Sequence, residues 1–286
     1  MKVIVLGTAA GGGLPQWNCA CAQCSRARSG DPAVSPRRQD CLAISATGEN
    51  WFLLNASPDL REQIAATPEL APGPGRRETP IRGALLTDAE LDHTLGLTLL
   101  REGQLTVWAP PPVLSHAAVR GLLAHYHHWT WHPAETTFTL DGLTCTVFPL
   151  SGKRPRYAQT ATPAPNWVVA YRITDPTTGG TLVYAPCLAH WPTPFTEFLA
   201  GATHALLDGT FHSPDEMATT TAQTDQRAMG HLPIVESLPL LPPGPTRWYY
   251  THLNNTNPAV AHDSLARTQI EACGASVAED GTRFDL

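Results

Sequence analysis

The chain has no surplus of positive charge: 19 Lys and Arg stand against 25 Asp and Glu, a formal net charge of −6. A phosphate-backbone binder neutralises its partner with Lys and Arg, so nucleic acid is excluded as the expected partner. Long apolar runs are missing as well. The N-terminal run of Val3 to Leu6 ends at Gly7, short of the roughly 7–15 apolar residues of a secretory signal. No stretch approaches the ~20 apolar residues of a membrane span, and a cytoplasmic protein without a membrane partner is expected. Internal repeats are absent. The seven cysteines are odd in number and three fall within residues 19–24, which argues against a disulfide framework. The glycines at 7, 11, 12 and 13 lack the G-x-G-x-x-G spacing, and Pro15 and the cysteines follow them instead of a helix. A dinucleotide site is therefore excluded.

What is present is a core-forming composition. Apolar residues make up 42% of 286, enough for a sizeable buried interior. With 27 Pro and 22 Gly, the chain turns often. Strands are expected at 2–6, at 41–47 and 51–55 as a hairpin, and at 83–86, 106–108, 112–114, 138–140 and 145–150. Residues 167–173 and 181–185 form a second hairpin, followed by strands at 205–207 and 247–251. Helices are expected after Pro58, with Ser57 as N-cap, from His93 through Leu99, over 117–124, over 233–239 and over 263–273. The Pro-rich, basic loop at 151–166 and the loop at 73–79 are flanked by strand-like runs, so neither is an interdomain linker. Hairpins interrupted by helices suit an α+β, αββα four-layer sandwich, in one domain over 1–286.

Three groups of residues carry chemistry. Cys19, Cys21 and Cys24 can wrap one tetrahedral cation; soft thiolates favour zinc, and a His or carboxylate from elsewhere would close a structural site. Asp88, Glu90, Asp92 and His93 follow a short apolar run. They read as a hard, anionic metal site, although an acidic helix start would look the same. Asp208, His231 and His252 each follow apolar residues and fit a shared metal pocket at strand ends. His125, His127, His128 and His132 lie among Trp129 and Trp131, a pocket lid or a solvated aromatic segment.

Blocks along almost the whole chain carry a resemblance. They include Leu6-Gly7-Thr8-Ala9-Ala10-Gly11-Gly12-Gly13, Pro15-Gln16-Trp17-Asn18-Cys19 and Asn55-Ala56-Ser57-Pro58-Asp59. They continue with Asp92-His93-Thr94-Leu95-Gly96-Leu97, Leu100-Arg101-Glu102-Gly103, Met229-Gly230-His231-Leu232 and His252-Leu253-Asn254-Asn255-Thr256-Asn257-Pro258. Together they resemble the B-protein family of pyrroloquinoline quinone (PQQ) biosynthesis. That resemblance implies the metallo-β-lactamase fold. Enzymes of that fold carry His-x-His-x-Asp-His where this chain has Asp88, Glu90, Asp92 and His93; two imidazoles have become carboxylates. A related phosphodiesterase branch shares the three-cysteine loop but keeps the full motif. Cys187 stands where such hydrolases often carry a bridging Asp.

The resemblance further implies structural zinc on Cys19, Cys21 and Cys24, with His252 as fourth ligand, and an active-site iron on Asp92 and His93. Asp88, Glu90, Asp208 and His231 are its candidates for ligand or proton-transfer roles. The implied reaction is iron- and oxygen-dependent hydroxylation of the tyrosine ring in a Glu-Tyr-derived dipeptide. A carrier that binds PQQ or a precursor for transport, and a metal-dependent phosphodiesterase or lactonase, are the competing functions. A homodimer is compatible with either.

Overall fold

The computed structural model describes residues 1–219, 226 and 228–286. In chain order the first six strands are β1 Lys2–Gly7, β2 Cys41–Ser45, β3 Trp51–Leu54, β4 Ile81–Leu85, β5 Thr106–Ala109 and β6 Thr130–Pro133. The next seven are β7 Thr137–Leu140, β8 Leu143–Ser151, β9 Val168–Thr174, β10 Thr181–Ala185, β11 His204–Asp208, β12 Arg247–Thr251 and β13 Ala275–Val277. The last, β14 Arg283–Asp285, returns to the first sheet. One sheet runs β14-β1-β2-β3-β4-β5-β6 and the other β13-β12-β11-β10-β9-β8-β7. Each is antiparallel on the hairpin side and parallel on the other, from β3 to β6 and from β10 to β13.

Side-chain alternation along the central strands explains the layering, because successive residues point to opposite faces of a sheet. In β1, Val3 and Val5 join the core between the sheets, while Ile4 and Leu6 face outward into a second core. β3 sorts likewise: Phe52 and Leu54 inward, Trp51 and Leu53 outward. In the second sheet Leu182 and Tyr184 point between the sheets, and Val183 and Ala185 point to a third core on the far side. Strands buried on both faces read as unbroken apolar runs.

Helices close the two outer cores. In chain order they are α1 Ala22–Ser29, α2 Leu60–Ala65, α3 Leu91–Thr94, α4 Pro111–His116, α5 Ala118–Leu123, α6 Thr193–Leu199, α7 Ile234–Ser237 and α8 Leu265–Ala272. Val113 of α4 and Val119 of α5 seal the first sheet; Phe195 of α6 and Ile270 of α8 seal the second. The result is the αββα sandwich. No helix among the described residues is long and apolar enough to cross a membrane.

Several local expectations are corrected. Residues 112–114 lie in α4, not a strand, because Pro111 and Pro112 occupy first-turn positions where no amide donor is needed. Ser57 does not cap α2: Asp59 holds the cap position, and the Ser57 hydroxyl donates instead to Gln63 Oε1 at 2.9 Å. Of the two readings of the tryptophan- and histidine-rich segment, the solvated one fits: His125, His127, His128 and His132 are exposed, and the lining of the main cavity lacks residues 125–132. The segment leads into the edge strand β6, where His132 stacks on Trp108 at 5.7 Å.

Candidate active site

The parallel strands of both sheets end on the same side, and loops leaving those ends deliver the functional residues, as is usual for open α/β sheets. Past β4 come Asp88, Glu90, Asp92 and His93; past β10, Cys187; at the end of β11, Asp208; after β12, His252. They line or adjoin a cavity of about 900 Å³. The α3 turn can lie flat against the Ala56–Ser57 backbone because residue 96 is glycine. A Cβ there would sit 2.1 Å from the Ser57 carbonyl oxygen. Backbone bonds from Ala56 N to His93 O, 2.7 Å, and from Gly96 N to Ala56 O, 2.9 Å, lock this contact.

His93 is buried, and its Nδ1 bonds both carboxylate oxygens of Asp88 at 2.9 and 2.8 Å. Asp88 is held in turn by the Thr87 hydroxyl at 2.7 Å and the Glu90 amide at 2.9 Å. His93 Nε2 is buried without a hydrogen-bond partner. Burial opposes charge on this imidazole, but Asp88 and Asp92 outweigh it and push its pKa up to about 10. The same pairing overrides burial at Asp88, whose pKa falls to about 2, and holds Asp92 well below the usual carboxylate range.

His252 sits 5.0 Å from His93 and 5.4 Å from His231, ring centre to ring centre. Its backbone has φ 57°, a left-handed conformation sparse for a side-chain-bearing residue and common at functional sites. Its Nδ1 meets the Thr210 hydroxyl at 2.8 Å and its Nε2 faces Asp92 Oδ2 at 3.3 Å. His231 Nδ1 bonds Asp208 Oδ2 at 2.8 Å, and Asp208 is fixed by the Leu188 amide at 2.7 Å and the Thr210 hydroxyl at 2.7 Å. Cys187 completes a group with His93 and His252 whose ligand atoms lie within 4.8 Å of one another; Asp208, His231 and His252 form another. Burial, followed by the nearby Asp88 and Asp208, holds the Cys187 thiol far above its ordinary pKa.

Beneath these groups runs a polar layer that sequence reasoning missed. Asp40 is fully buried and accepts from the hydroxyls of Tyr184 and Thr251. Asn55 links Tyr184 to Thr87. A lone carboxylate at a strand start gives no signal in sequence, because its partners come from β10 and β12.

His252 belongs to this cavity and not to the cysteines, which corrects the expected zinc set. Both of its ring nitrogens are directed at Thr210 and Asp92. Asn255, three residues on, reaches the sulfurs instead. Its side-chain nitrogen lies 3.1, 3.6 and 3.4 Å from Cys19, Cys21 and Cys24, and its backbone carbonyl accepts from Cys21 Sγ at 3.4 Å. The three cysteines form one group of mutually close sulfurs. Burial and the neighbouring thiol push Cys24 up to about 11; at Cys21 burial also raises the pKa, but the Cys24 amide and surrounding donors draw it below the ordinary value. Asp88 is likewise placed behind His93, and Glu90 is paired with Lys153 at 3.1 Å.

The two-sheet frame with a histidine- and carboxylate-lined cavity at the strand ends is the metallo-β-lactamase fold, and the β-lactamase superfamily domain model matches residues 50–253. A diphosphatase of the PhnP family shares this fold, with a TM-score of 0.72 at 21% identity over 100% of this chain and 96% of that one. Within the superfamily the chain belongs to the coenzyme PQQ synthesis protein B family. It is 39% identical to coenzyme PQQ synthesis protein B of Methylorubrum extorquens, over 100% of both chains. The crystal structure of Zn(2+)-bound PqqB from Methylobacterium extorquens matches with a TM-score of 0.93 and 36% identity, again over 100% of both.

Proposed function

We propose that this protein acts in PQQ biosynthesis as an iron- and oxygen-dependent hydroxylase of the tyrosine ring in a Glu-Tyr-derived precursor. One observation carries the reading: His93 Nε2 is buried and unpartnered, and its ring lies 5.0 Å from that of His252, whose Nε2 faces Asp92. Two imidazoles and one carboxylate around an open cavity are the donor set typical of non-haem ferrous oxygenases. Asp92, His93 and His252 would hold the ion. When bound, iron supplies activation of dioxygen.

The remaining steps belong to the chain. Asp88 keeps the proton on His93 Nδ1 and so reserves Nε2 for the metal, the arrangement that orients most metal-bound histidines. Thr210 does the same for His252 through its hydroxyl. The Asp208–His231 pair, 2.8 Å apart, is a proton relay at the cavity wall. In the overall balance one oxygen atom is inserted into a ring C–H bond, the other leaves as water, and a reductant with two protons from solvent supplies the two electrons and the hydrogens of that water. Zinc fits the second site. Cys19, Cys21 and Cys24 would hold it, with the Asn255 amide donating to their sulfurs, and stiffen the loop that follows the cavity residues Gly11 and Gly12.

The test is aerobic incubation of iron-loaded protein and reductant with a Glu-Tyr dipeptide. A mass gain of one oxygen atom on the ring is expected. No oxidation, with tight binding of PQQ, would favour the carrier; oxygen-independent turnover of a phosphodiester or lactone with zinc or manganese would favour the hydrolase.

A further inference from the structure

Building on the reading of this cavity as the reaction site, we infer that the basic loop after β8 is its substrate-recognition wall, selecting a ligand with two or more carboxylates. Lys153, Arg154 and Arg156 all line the cavity. Opposite them, the lining carboxylates are already engaged: Asp92 with His252 and Glu90 with Lys153. Neither Arg154 nor Arg156 pairs with a carboxylate among the described residues. Two guanidiniums without counter-ions beside a third cation form an anion site, and guanidinium forks match carboxylates in geometry.

The loop is pre-organised for this task. Tyr157 donates its hydroxyl to the Ala89 carbonyl at 2.5 Å, and the Lys153–Glu90 pair adds a second tie to the same acidic turn. Arg154 is steadied by the Ala161 carbonyl at 2.6 Å, and Gln159 bonds the Arg154 carbonyl at 2.7 Å. The stem of Lys153 runs across Gly230, the neighbour of His231. A Cβ on residue 230 would lie 2.4 Å from Lys153 Cδ, and φ there is +89°. Glycine is therefore required for the lysine to lie where it does. Fixing the cations beforehand lowers the ordering cost of binding. Lys153 shares its ammonium with Glu90 in the free protein and can pass it to a substrate carboxylate.

The experiment uses the full chain loaded with zinc alone, so that no oxidation occurs. Binding of L-Glu-L-Tyr and of its doubly amidated counterpart is measured by calorimetry at two salt concentrations. The acidic peptide is expected to bind at least tenfold more tightly, with the preference shrinking in salt. Arg156→Ala and Lys153→Met each remove roughly tenfold of that preference and leave the amidated peptide unchanged. Glu90→Gln tightens binding of the acidic peptide a few-fold, which a purely structural salt bridge would not do. Thermal melts confirm folding, and Arg156 is exposed, so its replacement leaves the core untouched.

Equal affinity for the two peptides, equal losses for both in the variants, or no binding of either overturns the inference. Mass analysis of the iron-loaded protein separates it from the reaction itself. Persistent charge preference without oxidation sinks only the hydroxylase; oxidation without charge preference sinks only the recognition wall.

Discussion

His93 Nδ1 lies 2.8 Å from Asp88 Oδ2, a contact that in the proposed iron site makes Asp88 the support of the ligand His93 and not a ligand itself. Carboxylate partners of this kind typically tune affinity 10–100-fold. Asp88→Asn is therefore expected to weaken active-site metal binding by about that factor while the fold persists. His93→Ala is expected to abolish activity with folding spared. Chelator competition followed by metal counting on each variant checks both. Unchanged affinity in Asp88→Asn would show that the contact does not tune the ion.

The thiolate site is predicted to be independent of the cavity. Cys21→Ala should lose one zinc equivalent and destabilise the protein, because structural metal binding is folding free energy. The melting temperature is expected to drop by roughly 5–10 °C. His252→Ala should keep that zinc, since His252 points at Thr210 and Asp92. Loss of thiolate-bound zinc in His252→Ala would restore the histidine as its fourth ligand.

Legibility in the sequence followed the density of local signal. Apolar runs such as Cys41–Ser45 and Thr181–Ala185 mark buried strands and were readable. β14 was not: Arg283–Asp285 is a polar edge strand with Lys2 paired to Asp285, and pairing alone defines it. β6 and β13 are similarly short, and Trp131 and His132 gave an aromatic signal without a strand period. Asp92 and His93 stand adjacent and read in sequence as a candidate pair, and the fold brings both to the cavity lining. Asn255 and Lys153 were not, because an amide three residues past a histidine, or one lysine in a basic loop, acquires meaning only when the fold brings Cys24 or Glu90 to it.

Leu206 tests the packing between the sheets. It is fully buried in that core, with Tyr184 and Ile173 in the same cluster. Leu206→Ala removes three carbons where the surrounding strands cannot collapse. A loss of about 2–5 kcal/mol is expected, read as a fall in the urea midpoint with an unchanged slope. A loss below about 1 kcal/mol would mean that the two sheets can slide together to fill the space.

His204 makes acid stability testable away from the cavity. His204, on β11, packs on Phe284 at 4.6 Å and Tyr249 at 5.8 Å, and its Nδ1 is buried without a partner. Burial, with help from Arg247, lowers its pKa from 6.5 to about 4. Between these values the unfolded chain binds the proton and the folded chain does not, so stability rises with pH across the window. The contribution is complete above pH 6.5 and is lost as pH falls toward 4. Because part of the ring's surroundings is solvated, it is roughly 1–2 kcal/mol, less than the full shift would give. His204→Phe keeps the stacking and removes the titration. The stability difference between wild type and variant should therefore change by that amount between pH 7 and pH 4.5, with the wild type losing more. Parallel denaturation curves at the two pH values would mean that His204 is not the acid-sensitive group.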